Sequence, residues 1–138
     1  MTLEALDNLV RIGQLKEEPP DQREFDGMLV AGRRALKDAQ VPGLSDEGRF
    51  SLAYQAGHAL ALAALRWHGY RSESRYIVFQ CLQHTLGLDA TKWRILDLCH
   101  RQRNLAEYEG HLEIPAQLIE GLIETVGEIL PLVESLER

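Results

Sequence analysis

Two cysteines, Cys81 and Cys99, are all that the chain contains among its 138 residues. Each falls in an amphipathic helical setting with no second cysteine at metal-ligand spacing, so reduced core thiols are expected rather than a disulfide or a zinc site. The histidines at 58, 68, 84, 100 and 111 do not pair at the four-residue step of a helical metal site. No His-Glu-x-x-His, Cys-x-x-Cys, Gly-rich phosphate loop or Gly-x-Ser-x-Gly occurs, so neither a metal nor a cofactor is expected. Long apolar runs are missing as well. The longest, Ala59 to Leu65, is far short of the ~20 residues that a membrane span needs. With Glu4 and Asp7 in its first turns the chain reads as soluble, cytoplasmic and without a membrane partner. There is no strand-like alternation, no repeat and no low-complexity tract. A helix-turn-helix would need a recognition helix richer in basic and amide residues than any present.

What is present fits one domain over residues 1–138, 45% hydrophobic and long enough to close its own core. The expected fold class is all-α, an antiparallel up-and-down bundle of about five to six helices, with residues 1–20 as a short helical lead-in. Asp21 and Glu24 have the form of a capping box before Phe25, Met28, Leu29, Gly32 and Leu36, and Ser45 opens a third helix that closes at Gly69. Its middle, Leu52 to Leu65, is apolar on most of its circumference, so it is the expected central helix. Gly57 and the alanines permit close neighbours, and Ser51, Tyr54, Gln55 and His58 form its one polar row. A buried row of that kind needs partners. Ser74 caps a helix through Leu86. Asp89 opens the next, and Pro115 begins a last helix with Pro131 inside it as a kink.

The helix from Trp93 to Tyr108 carries the most chemistry. At ~100° per residue, Ile95, Leu98, Cys99, Leu105 and Ala106 gather on one side as an expected core stripe. Asp97, His100, Arg103, Asn104, Glu107 and Tyr108 collect on the other. That face can move protons, bind phosphate or donate several hydrogen bonds. The plain alternative is that Arg103 and Glu107 form an ordinary solvated pair worth a few tenths of a kcal/mol. Charge along the chain is uneven: the net value is −6, yet residues 66–103 hold seven basic groups against three acidic ones, and eight glutamates follow. A basic middle suits a phosphate chain. It is equally open to neutralisation by the acidic last helix.

At Arg103-Asn104-Leu105-Ala106-Glu107-Tyr108, preceded by Phe50-Ser51-Leu52-Ala53-Tyr54-Gln55-Ala56, the chain resembles the HEPN superfamily of small α-helical prokaryotic proteins. The resemblance covers roughly residues 50–132. It implies a bundle that pairs as a homodimer, with an arginine, a polar residue after it and a histidine four to six positions further on lining a cleft at the dimer axis. Many members are metal-independent ribonucleases, often toxins neutralised by a nucleotidyltransferase-type antitoxin; others bind without catalysis. Arg103 and Asn104 match the arginine and its polar neighbour. Tyr108 stands where the histidine is expected, and the nearest downstream histidine is His111. Imidazole suits proton transfer near neutral pH, so His100 or His58 is the stand-in if cleavage occurs. The candidate catalytic set is therefore Arg103, Tyr108 and His100; the candidate binding set is Arg103, Asn104, Glu107, His58 and Tyr54. The leading expectation is a homodimeric module binding RNA, a nucleotide or a partner protein without turnover. An active ribonuclease of a toxin–antitoxin pair comes second, and a structural adaptor third.

Overall fold

A computed structural model describes residues 2–110 and 113–137. Helix α1 (Thr2–Arg11), α2 (Gln22–Ala39) and α3 (Asp46–Trp67) are followed by α4 (Arg75–Gln80), α5 (Leu82–Thr85), α6 (Ala90–Glu109) and α7 (Ala116–Ser135). This is an all-α bundle. Short polar signals set its boundaries: Asp21 accepts from the backbone N–H of Arg23 and Glu24, Ser45 from Gly48, Ser74 from Ile77 and Asp89 from Thr91. Gly110, at φ +84°, closes α6 in the left-handed conformation that glycine adopts without penalty.

Helix α3 touches α2, α4, α5, α6 and α7 and is the hub. Gly57 is what lets two of these come close, since a Cβ there would lie 2.8 Å from Leu96 Cδ2 and 3.2 Å from Val126 Cγ2. Phe50, Ala53, Tyr54, Leu60 and Leu65 from α3 meet Phe25 and Leu36, Phe79, Leu96, and Ile119, Leu122 and Val126 in one buried cluster. Helix α7 runs through Pro131 unbroken. The carbonyl that this proline leaves without a donor belongs to Gly127, and both residues are exposed, so water can satisfy it.

Four expectations need correction. Residues 74–86 form two helices, because the chain bends at Cys81, whose carbonyl accepts from Thr85 Oγ1 at 3.2 Å. Two residues, β1 (Lys16–Glu17), pair antiparallel with β2 (Tyr70–Arg71), a bridge too short to leave any alternation in the sequence. Glu24 does not turn back to complete a capping box; its carboxylate holds Arg66 and Arg71. Most consequential, α6 is rotated from the expected phase. Its buried residues are Trp93, Leu96 and Cys99, whereas Leu98 and Leu105 are 37% and 49% exposed. Apolar residues occupy two arcs of this helix, so periodicity does not select one. Trp93 and Leu96 take the inside, and His100 and Arg103 turn toward Tyr54 beside them.

Candidate functional site

Tyr54 is the centre of the polar cluster and is wholly buried on α3. Its ring lies against Phe50 and Phe79 and parallel to the His100 ring, with centroids 6.2 Å apart and 7° between planes. A buried phenol needs hydrogen-bond partners. Tyr54 Oη accepts from Arg75 Nη1 at 3.0 Å and sits 2.9 Å from His100 Nδ1. The contact suits either imidazole tautomer, since Oη can accept a second hydrogen bond from Nδ1–H or give its own proton to Nδ1. Asn104, one turn on, has its amide nitrogen Nδ2 3.3 Å from His100 Nε2.

Two guanidiniums flank this buried phenol. The carbon of the Arg75 guanidinium is 5.5 Å and that of Arg103 5.1 Å from the Tyr54 ring centroid, both within cation–π range. Among the described residues no carboxylate forms an ion pair with Arg75, and Arg103 has only Glu107 at 4.0 Å, the outer limit of such a pair. Neighbouring charges act on the histidines. Burial first, then Arg75, His100 and Arg103, push His58 down to about 4; its ring packs edge-on to Phe79. His100 is lowered too, by burial and then by Arg75 and Arg103, against the opposing pull of Asp97 and Glu107. Both imidazoles are therefore neutral at pH 7.

The structure thus brings Tyr54, His58, His100, Arg103, Asn104 and Glu107 together around one point. Tyr108 does not join them: it projects from another side of α6 and is 93% exposed. His111 lies outside the described residues. Arg75 is the member that sequence reasoning missed. It lies in the first turn of α4, twenty-one positions after Tyr54, and only tertiary packing puts the two together. The available signal was coarse, an arginine within the basic middle just after the Ser74 cap. A separate cleft of about 510 Å³, lined by Gln14, Lys16, Arg71, Ser72 and Tyr76 among others, holds none of these groups. Its Arg71 is already bound to Glu18 and Glu24. Among the described residues no three or more of His, Cys, Asp and Glu come together as a metal-binding group.

No protein-family model, curated protein or solved structure matches the chain. The functional reading therefore rests on the cluster itself.

Proposed function

We propose that the chain is a binding module for a phosphate group of RNA or a nucleotide, held by Arg75 and Arg103 without turnover. The observation that carries this reading is the pair of guanidiniums on one buried phenol, one lacking a carboxylate and the other barely touching one. A neutral, largely buried backing of Tyr54, Phe79, His58 and His100 lowers the local dielectric and strengthens the field that two cations present to an anion. Guanidinium forks suit phosphate oxygens. Binding rather than cleavage is supported by Tyr108, which stands where the resemblance expects a histidine, carries a phenol instead of an imidazole and projects into solvent away from the cluster.

Titration of a fluorescent short single-stranded RNA, with ATP and inorganic phosphate as parallel probes, tests the reading. Arg75→Ala and Arg103→Ala should each weaken binding at least about tenfold, as expected for loss of a charge-assisted contact. Arg103→Lys should restore part of it, because lysine keeps the charge and loses the fork. Binding indifferent to both alanine variants would overturn the proposal. RNA cleavage without metal that is lost in His100→Ala would replace it with the ribonuclease reading.

A further inference from the structure

Resting on the reading of Arg75 and Arg103 as a phosphate clamp, we infer that the group they take is a terminal phosphomonoester, at an RNA end or on a nucleotide, rather than an internal phosphodiester. The charge count favours the end. An internal diester presents two unbridged oxygens and one negative charge, whereas a monoester presents three such oxygens and about −1.5 to −2 charges at pH 7. Two cations suit the second. Arg75 comes from α4 and Arg103 from α6, and their guanidinium carbons lie 5.5 and 5.1 Å from one ring centroid. A diester would leave one of these charges unanswered beside the buried Tyr54, where an unpaired charge costs more than it does in water. The donors are apportioned in the same way. Arg75 spends Nη1 on Tyr54 Oη, which leaves its Nη2 and Nε without a partner among the described residues, and Arg103 has 35% of its side chain exposed. Asn104, exposed and next in the chain, offers an amide to a third oxygen.

The surroundings select against a strand that passes through. On α6, Asp97 stands one turn before His100 and Glu107 one turn after Arg103, and both are near enough to act on the His100 imidazole. An internal diester brings a neighbouring phosphate on each side, and either neighbour finds a carboxylate rather than a free cation. A terminal group has one neighbour at most. The other basic residues of the middle stretch are engaged or turned away: Glu18 and Glu24 hold Arg66 and Arg71, Glu128 holds Lys92, and Asp97 holds Arg101. Arg94 stacks on Trp93 and, at ~100° per residue, lies on the far side of α6 from Arg103. The clamp is thus an isolated positive spot on a protein of net charge −6, open to one dianionic group and unsuited to a track of monoanions.

Base-labelled RNA tetranucleotides that differ only in a 5′-phosphate, a 3′-phosphate or two hydroxyl ends, titrated into the full chain, test this. A hydroxyl-ended strand sets the baseline, since it offers internal diesters alone. At least one phosphorylated end should bind about tenfold tighter or more, the scale of a further charge-assisted contact. The stronger end gives the orientation, and a nucleoside monophosphate that competes as well as either would identify a free nucleotide as the source. Methyl esterification of the end phosphate removes one charge and adds no nucleotide, so it should return the affinity to within about threefold of the baseline. Arg75→Gln keeps a donor for Tyr54 Oη while removing the charge, and should erase the preference at an unchanged melt. Equal affinity for phosphorylated, esterified and hydroxyl-ended strands, with binding still weakened in Arg75→Ala and Arg103→Ala, would overturn the inference and leave the clamp standing. A preference that persists in Arg75→Gln or in the methyl ester would also overturn it, by placing the end elsewhere. No binding of any strand would remove the clamp itself, and the inference with it.

Discussion

A cap acts on a backbone N–H two or three positions away, so Asp21, Ser45, Ser74 and Asp89 declare themselves locally. Tyr54 and His58 were legible as a polar row that needs partners, and His100 as a group able to serve. Arg75 was not, because nothing local ties it to Tyr54. His58 supplies a prediction at this scale. Its proton affinity is depressed in the fold, to a pKa of about 4, against about 6.5 in the unfolded chain. The unfolded state therefore binds more protons between these values, so stability is fully present above pH ~6.5 and falls as pH drops through the window. Of a total on the order of 3 kcal/mol, about 2 should be gone by pH 5. His100, His68 and His84 are shifted the same way and add to the slope. Urea unfolding at pH 7, 6 and 5 measures it. His58→Gln should flatten the profile, and an equally steep one in that variant would remove His58 as its cause.

Among the elements, existence and order followed from spacing and caps, while orientation did not. Helix α3 is apolar all round and must be central; α7 has one continuous stripe and must lie on it. Helix α6 has two apolar arcs, and which arc faces α3 depends on Gly57 admitting Leu96, a fact of three dimensions. The β1–β2 bridge was hidden for a related reason: it is held by Arg66, a buried arginine from the end of α3. Arg66 donates to the carbonyls of Pro19 at 2.7 Å, Glu18 at 3.0 Å and Tyr70 at 3.3 Å, and pairs with Glu24. Read along the sequence it was one more member of a basic stretch. In the fold it ties the lead-in to the turn after α3, with 1% of its side chain exposed. Arg66→Met keeps the bulk, strips three carbonyls of this donor and leaves the Glu24 carboxylate with Arg71 alone. It should cost about 3–5 kcal/mol in urea unfolding, the range for breaking a buried charged network. Glu24→Gln should cost less, since the amide still accepts a hydrogen bond. A loss below about 1 kcal/mol in Arg66→Met, within the range of ordinary surface changes, would show that the clamp does not hold this end of the bundle.

Over the whole molecule the charge asymmetry resolves in a way that counting along the chain could not decide. The acidic last helix pairs with Arg33 and Arg49 as well as Lys92, so its glutamates are partly spent on residues outside the basic middle. Arg66 and Arg71 are held by Glu18 and Glu24, and Arg101 by Asp97. What remains toward the cluster is Arg75 and Arg103. A protein of net charge −6 with two such cations should hold one phosphate locally and repel the rest of an RNA chain, rather than track it. This fixes the salt dependence. With one phosphate charge neutralised on a single strand, log K should fall against log salt with a slope of ~−0.7, about a threefold loss between ~50 and ~200 mM. Affinity for a tetranucleotide and for a twenty-residue RNA should then agree within a few fold once the number of equivalent sites is allowed for. Arg75→Ala should weaken binding and flatten the slope, because one of the two cations on that phosphate is gone. A slope of about −4 or steeper, or affinity climbing with RNA length, would demand an extended basic surface. A slope of zero would mean that no phosphate is neutralised, and binding would then have to come from the apolar and hydrogen-bonding groups around Tyr54 alone.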